Sequence, residues 1–196
     1  RLTSSFYAIR RSLERRKAYL KGVQTGQTWL TDDDVDQDDL DLDVSEDMGD
    51  DEHAKFLGEL AYIDDFLENI KKIGTDSKME RLHEDLRTTF KERDTVIVFT
   101  QYTDTMDYIR EDLRQVYGGQ VACYSGRGGE RWDGTAWVSY GKETLKEAFR
   151  QGEDIKILLC TESASEGLNL QTCGVLINYD MPWNPMRVEQ RIGRID

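Results

Sequence analysis

Near its carboxyl end the sequence reads Met186-Arg-Val-Glu-Gln-Arg-Ile-Gly-Arg-Ile-Asp196, with Arg187, Arg191 and Arg194 spaced at i, i+4 and i+7. Asn184-Pro185 immediately before it is a helix start, Asn as the cap and Pro in the first helical position. On such a helix Val188, Ile192 and Ile195 are expected to face the core, while the arginines share another face with Gln190 beside them. Gly193 has no side chain and would let another surface approach closely. A row of guanidinium groups beside an amide suits a triphosphate or a carboxylate. The plainer alternative is a solvated basic stripe paired with Glu189 and nearby acids. This stretch alone does not decide between them.

Other polar clusters follow short apolar runs. Thr100-Gln101-Tyr102-Thr103 follows "TVIVFT", Ser125-Gly126 follows "QVACYS", Thr161-Glu162-Ser163 follows "IKILLCT", and Asp180-Met-Pro-Trp183 follows "GVLINYD". The runs read as buried strands. Between them, Met106, Ile109 and Leu113 mark one helix, and Leu145, Ala148 and Phe149 another. Residues 126–141 read as a long loop carrying glycines and tryptophans. Alternating strands and helices predict an α/β domain, a parallel sheet with helices on both faces. Such sheets bind ligands at the carboxyl ends of their strands, where these polar clusters collect.

The first half is different. Leu2, Phe6, Ile9 and Leu13 recur at helical spacing in a segment where seven Lys or Arg face one acid, Glu14, over residues 1–21. A second helix is predicted through Phe56, Leu60, Ile63, Leu67 and Ile70, and a third through Met79, Leu82, Leu86 and Phe90, with Ser77 and Glu80 as its capping box. Residues 31–53 hold 13 of the 39 Asp and Glu and no Lys or Arg, so the rest balances at 26 acids against 26 bases. The net charge of −13 thus belongs to one segment, expected to be flexible, and says little about the partner of the folded part. Within it Asp51-Glu52-His53-Ala54 imitates a "DExH" metal-and-water motif, but it lacks the apolar strand that would hold its carboxylates rigid. Two histidines and three cysteines without paired spacing exclude an ordinary zinc site and favour reduced, buried thiols. No apolar run approaches the ~20 residues that span a bilayer.

Three stretches, "VIVFTQYTDTMDYI", "CYSG" and "ILLCTESASEGLNLQTCGVLINYDMPWNPMRVEQRIGRID", resemble in order and spacing motifs IV, V and VI of superfamily 2 helicases and translocases. "EGLNLQ", "WNP" and "EQRIGRID" are similar to the Swi/Snf-type DNA-dependent ATPases, in particular their bacterial RapA-like branch. DEAD-box RNA helicases usually carry His where this chain has Gln190 and Asp where it has Asn169. The resemblance covers about residues 75–196. It implies that residues 94–196 are the second, C-terminal RecA-like lobe of such an enzyme. Ahead of it come a basic helical segment (1–30), the acidic insert (31–53) and a helical lead-in (54–93).

The family's motif VI runs Q-R-x-G-R-x-x-R, matched by Gln190, Arg191, Gly193 and Arg194; the last arginine would be residue 197, so the chain is expected to stop inside the motif. The resemblance implies that Arg194, with Arg191, acts catalytically on the γ-phosphate of ATP. Gln190, Glu166, Gly167 and Asn169 would lie at the nucleotide. Gln101, Tyr102, Thr103, Ser125, Gly126 and Thr161 would line a double-stranded DNA track through backbone contacts. For Gly167 the plainer reading is a tight turn, and for Tyr102 it is packing. The Trp132/Trp137 loop, with Arg127 and Arg131, could stack on unpaired bases or fold over its own indoles. ATP with Mg²⁺ is expected mainly on an N-terminal RecA-like lobe of the same protein, because no Walker A sequence occurs in this chain. Half an enzyme is the expectation, inactive alone, from a cytoplasmic, nucleoid-associated bacterial protein that remodels a protein complex on DNA. The rivals are an RNA helicase lobe and a non-enzymatic module that uses the acidic segment for interaction.

Overall fold

A computed structural model describes residues 6–25, 50–72, 76–161, 173–182 and 184–193. The chain divides into two compact units, residues 9–74 and residues 75–196, the latter joined by residues 1–8.

In the smaller unit, helices α1 (Phe6–Thr25) and α2 (Asp50–Lys72) bury Leu20, Ile63 and Leu67, with Leu13, Tyr19 and Leu60 packed against them. The basic residues of α1 meet acids of α2. Arg16 donates to both carboxylate oxygens of Glu59 at 2.8 and 3.1 Å, and Lys17 pairs with Asp64. Since α2 starts at Asp50, residues 50–53 form its first turn. The "DExH" imitation therefore lies on a helix and not at a strand end. The remaining acidic residues, 31–49, lie outside the described residues.

The larger unit begins with α3 (Ser77–Thr89). Its cap is Asp76, whose side chain accepts from the backbone N–H of Lys78 and Met79 at 3.0 and 3.2 Å. The expected Ser77–Glu80 box is not used, because Ser77 is already the first helical residue. Then follow β1 (Val96–Thr100), α4 (Thr103–Tyr117), β2 (Val121–Ser125), β3 (Gly128–Trp132), β4 (Trp137–Tyr140), α5 (Lys142–Gln151), β5 (Ile157–Thr161), β6 (Leu176–Asn178) and α6 (Pro185–Ile192). The sheet order is β4-β3-β2-β5-β1-β6. β2, β5, β1 and β6 run parallel, and β3 and β4 extend the edge antiparallel.

Residues of β1 and β5 are buried throughout because both faces of the sheet are covered. Val96, Val98, Val121, Cys123, Ile157 and Leu159 pack with α3 and α4. Ile97, Phe99, Ala122, Leu158 and Cys160 pack on the other side with Leu145 and Phe149 of α5. The expected fold is present, with one difference: the sheet is mixed, because the predicted loop at 126–141 is largely a hairpin. Asp133 closes its turn by accepting from the N–H of Thr135 and Ala136 at 2.7 and 2.8 Å, and Gly134 takes φ of 107°. Gly129 is required by the close pairing, since a Cβ there would lie 2.3 Å from the Tyr140 carbonyl oxygen. A glycine that reads as loop is what lets β3 and β4 approach.

Candidate functional site at the strand ends

The parallel register brings the polar clusters to one edge. Thr100 is paired with Thr161, and Tyr124, just before Ser125, with Cys160. The ends of β1, β5 and β2 thus lie side by side. Thr161 and Ser125 are buried there, whereas Gln101 and Gly126 are exposed. Tyr102 is half-buried and starts α4, its carbonyl accepting from the N–H of Met106 at 3.0 Å; Thr103 is the first helical residue. The Ser125 hydroxyl accepts from the N–H of Arg127 at 3.2 Å, which fixes the turn after β2. Of the residues expected at the nucleotide, Gln190 is exposed on α6, and Glu166, Gly167 and Asn169 lie outside the described residues, as does Arg194.

Helix α6 starts as its sequence predicts. Asn184 is the cap, its side-chain oxygen accepting from the N–H of Met186 at 3.0 Å, with Pro185 next. Its faces differ from the expectation. Arg191 is 2% exposed, while Ile192, expected in the core, is 43% exposed and Arg187 is exposed. The physical reason lies in what surrounds the guanidinium. Nη1 of Arg191 donates to Oδ1 of Asn178 at 2.5 Å and to the carbonyl of Asp180 at 2.9 Å, and the group lies 5.3 Å from the Phe99 ring centre. Polar acceptors at the end of β6 and an aromatic face on β1 make a buried seat that suits a cation better than an isoleucine.

Sequence reading gave no role to Asp180. Its carboxylate is 5% exposed, and it accepts from the Thr100 hydroxyl at 2.5 Å and the Gln101 N–H at 3.1 Å through Oδ2, and from Lys78 Nζ at 2.9 Å through Oδ1. Burial alone would raise its pKa. The hydrogen bonds from Thr100, Lys78 and Gln101 together outweigh that and hold it below the ordinary aspartate range. The available signal was an acid at the end of the apolar run "GVLINYD", two residues before Pro182.

The Trp132/Trp137 region folds over its own side chains. The indoles oppose each other across the hairpin at 5.7 Å, edge to face. Arg114 lies 4.5 Å from the Trp132 ring centre and Arg110 4.8 Å from that of Trp137, whose Nε1–H donates to Glu111 at 2.6 Å. Arg127 bonds both Asp107 oxygens at 3.1 and 2.6 Å and lies 3.3 Å from Glu130. Arg131 donates to the Gly119 carbonyl at 3.1 Å. The basic charge at this end of the edge is therefore offset locally by acids.

Cys123, Cys160 and Cys173 are free and buried, and burial pushes the thiols of Cys123 and Cys160 up, away from any nucleophilic role. Among the described residues no group of three or more His, Cys, Asp or Glu could hold a metal ion, and no helix is long and apolar enough to cross a membrane.

A mostly parallel sheet covered on both faces, with polar residues gathered at the carboxyl ends of its strands, is an α/β arrangement of the ligand-binding type. The model of the helicase conserved C-terminal domain matches residues 77–196, and the chain belongs to that family. Among curated proteins it is 43% identical over 102 residues to "Uncharacterized ATP-dependent helicase YqhH" of Bacillus subtilis (strain 168), a match covering 52% of this chain and 16% of that protein. It is 30% identical over 121 residues to "RNA polymerase-associated protein RapA" of Vibrio campbellii, covering 62% of this chain and 12% of the relative. The chain thus spans under a fifth of the length of either relative. The crystal structure of the Pyrococcus furiosus Hef helicase domain aligns with a TM-score of 0.55 at 20% identity, over 98% of this chain and 33% of that one, and supports the RecA-like fold.

Proposed function

We propose that the chain supplies the second motor lobe of an ATP-dependent double-stranded DNA translocase of the Swi/Snf type. The observation that carries this is the carboxyl edge where the ends of β1, β5 and β2 lie side by side, with Arg191 of α6 seated against Phe99 of β1 and the Asp180 carbonyl beyond β6. Gln101, Tyr102, Thr103, Gly126 and the buried hydroxyls of Ser125 and Thr161 form that edge. We assign it to the sugar-phosphate backbone of a duplex, without base reading. Because the cations near it are largely paired, binding by this lobe alone is weak and falls with salt.

A polyphosphate fits the donors that α6 offers. Gln190 presents an exposed amide, and Arg194 follows one residue after Gly193. Glu166, Gly167 and Asn169 complete the nucleotide side, and Mg²⁺ is held by a first lobe of the same protein. ATP supplies the phosphoryl transfer, and Arg194 stabilises the charge that develops on the transferred group. The buried Arg191 seats the helix that carries Gln190 and that ends two residues before Arg194 in the sequence. The name of the Vibrio campbellii relative makes RNA polymerase a candidate for the complex acted on.

The test is ATP hydrolysis by the full-length protein with duplex DNA, with single-stranded RNA and with neither, beside the 196-residue chain alone. Stimulation by the duplex, and no turnover by the isolated chain, are expected. Preferential stimulation by RNA would move the assignment to an RNA helicase lobe, and turnover by the isolated chain would end the half-enzyme reading.

A further inference from the structure

Asp180 takes no part in the chemistry proposed above, yet the two working ends of the lobe meet on it. Its carboxylate holds Thr100 and Gln101, 80 and 79 residues away, together with Lys78, 102 residues away. Its own carbonyl oxygen accepts from Arg191, 11 residues on. We propose that Asp180 is a positioning residue that couples the turn at Gln101 to the seat of α6, so that displacement of one displaces the other. The proposal rests on the reading of Gln101 as track and of α6 as the nucleotide arm.

The geometry allows little slack. Oδ2 accepts from donors on two consecutive residues, Thr100 and Gln101, where β1 passes into α4. Rotating the Asp180 side chain breaks both bonds and the contact to Lys78. Asp180 is thus anchored twice, its carboxylate by Thr100, Gln101 and Lys78 and its carbonyl by Arg191. The planar guanidinium has a second hold on Asn178 and lies over Phe99, the residue just before Thr100. Phe99, Thr100 and Gln101 therefore each touch Arg191 or Asp180. Asp180 and the cap of α6 at Asn184 are only four residues apart in the sequence. Each bond is local, but the set joins four elements, α3, β1, β6 and α6, through one residue.

Amide hydrogen exchange on the full-length protein tests the mechanical link. In Asp180→Ala the amides of residues 101–103 and those of 186–193 should both exchange about tenfold or more faster, with α5 within about twofold of wild type. If α5 loosens as well, the variant has lost its fold, and Asp180→Asn decides by the same comparison. That substitution keeps the volume and one acceptor but turns an amide toward Lys78. Loosening at Gln101 with α6 unchanged overturns the proposal. On the same proteins, Asp180→Asn should lower the stimulation of ATP hydrolysis by duplex DNA about tenfold, with KM for ATP within about twofold. Unchanged stimulation contradicts the coupling. If the wild type shows no stimulation at all, it is the functional reading that fails, and the exchange result alone decides whether Asp180 joins the two segments.

Discussion

Two regions of the larger unit use the same side chains for different ends. Around Asp180 and Arg191, a carboxylate, a guanidinium, an ammonium and a phenyl ring meet at 5% and 2% exposure for the two central residues. On α4 and the β3–β4 hairpin, Arg110, Arg114, Arg127, Glu111, Asp107 and Glu130 surround two tryptophans, and Arg127 is 46% exposed. The first cluster joins segments up to 102 residues apart, whereas the second ties α4 to the adjoining hairpin. Burial sets the difference in energy: removing one member of a buried polar set leaves the others without partners in low dielectric, while an exposed pair is replaced by water. Chemical composition alone would not separate the two, because both combine arginines, carboxylates and aromatic rings.

The comparison can be broken by substitution. Asp180→Ala should destabilise the lobe by roughly 3 kcal/mol, near the lower end for a broken buried pair because Lys78 keeps contact with water. Chemical denaturation of the 196-residue chain measures it, and a loss below about 1 kcal/mol would place this cluster in the same class as the hairpin. Trp137→Ala should cost about 2 kcal/mol, less than a full core truncation, because the indole is half-buried. Arg127→Ala should cost at most about 1 kcal/mol, and the cost should shrink as salt is added.

A pH titration of stability sharpens the same contrast with a smaller effect. The pKa of Asp180 is depressed in the fold, so its contribution is complete above the ordinary aspartate value of about 3.9 and is lost as pH falls below that value and through the lower folded one. Asp180→Asn should flatten that acid limb. An unchanged acid limb in the variant would mean that the carboxylate is not held as described.

The hydrophobic runs made the four parallel strands, α4 and α5 legible, and Asn184-Pro185 marked the start of α6. Each of these signals is local: a period, a cap, a run of apolar residues. The hairpin was not legible, because Gly128 and Gly129 are turn formers by propensity and act as strand residues only beside β2. The core face of α6 was misread for a related reason. Periodicity assigns Ile192 inward and Arg191 outward, but Asn178, the Asp180 carbonyl and Phe99 create a polar seat that no window around residue 191 contains. Asp180 was overlooked because its partners are 79 to 102 residues away. Elements are readable where a local pattern carries them, and the Asp180 cluster is unreadable because the fold assembles it from distant segments.

The central claim is that the two arginines of the Gln190–Arg194 stretch differ in task, Arg191 seating α6 and Arg194 acting on phosphate. The most direct measurement compares Arg194→Ala and Arg191→Ala in the full-length protein, recording kcat for ATP hydrolysis with duplex DNA and the melting of the lobe together. The account predicts that Arg194→Ala lowers kcat by roughly 10³ while melting stays within about 1 °C of wild type. It predicts that Arg191→Ala lowers the melting temperature by several degrees, because about 2 kcal/mol of buried, charge-assisted hydrogen bonding is lost. A full kcat in Arg194→Ala, or an Arg191→Ala protein that melts like wild type yet has lost turnover, would contradict it.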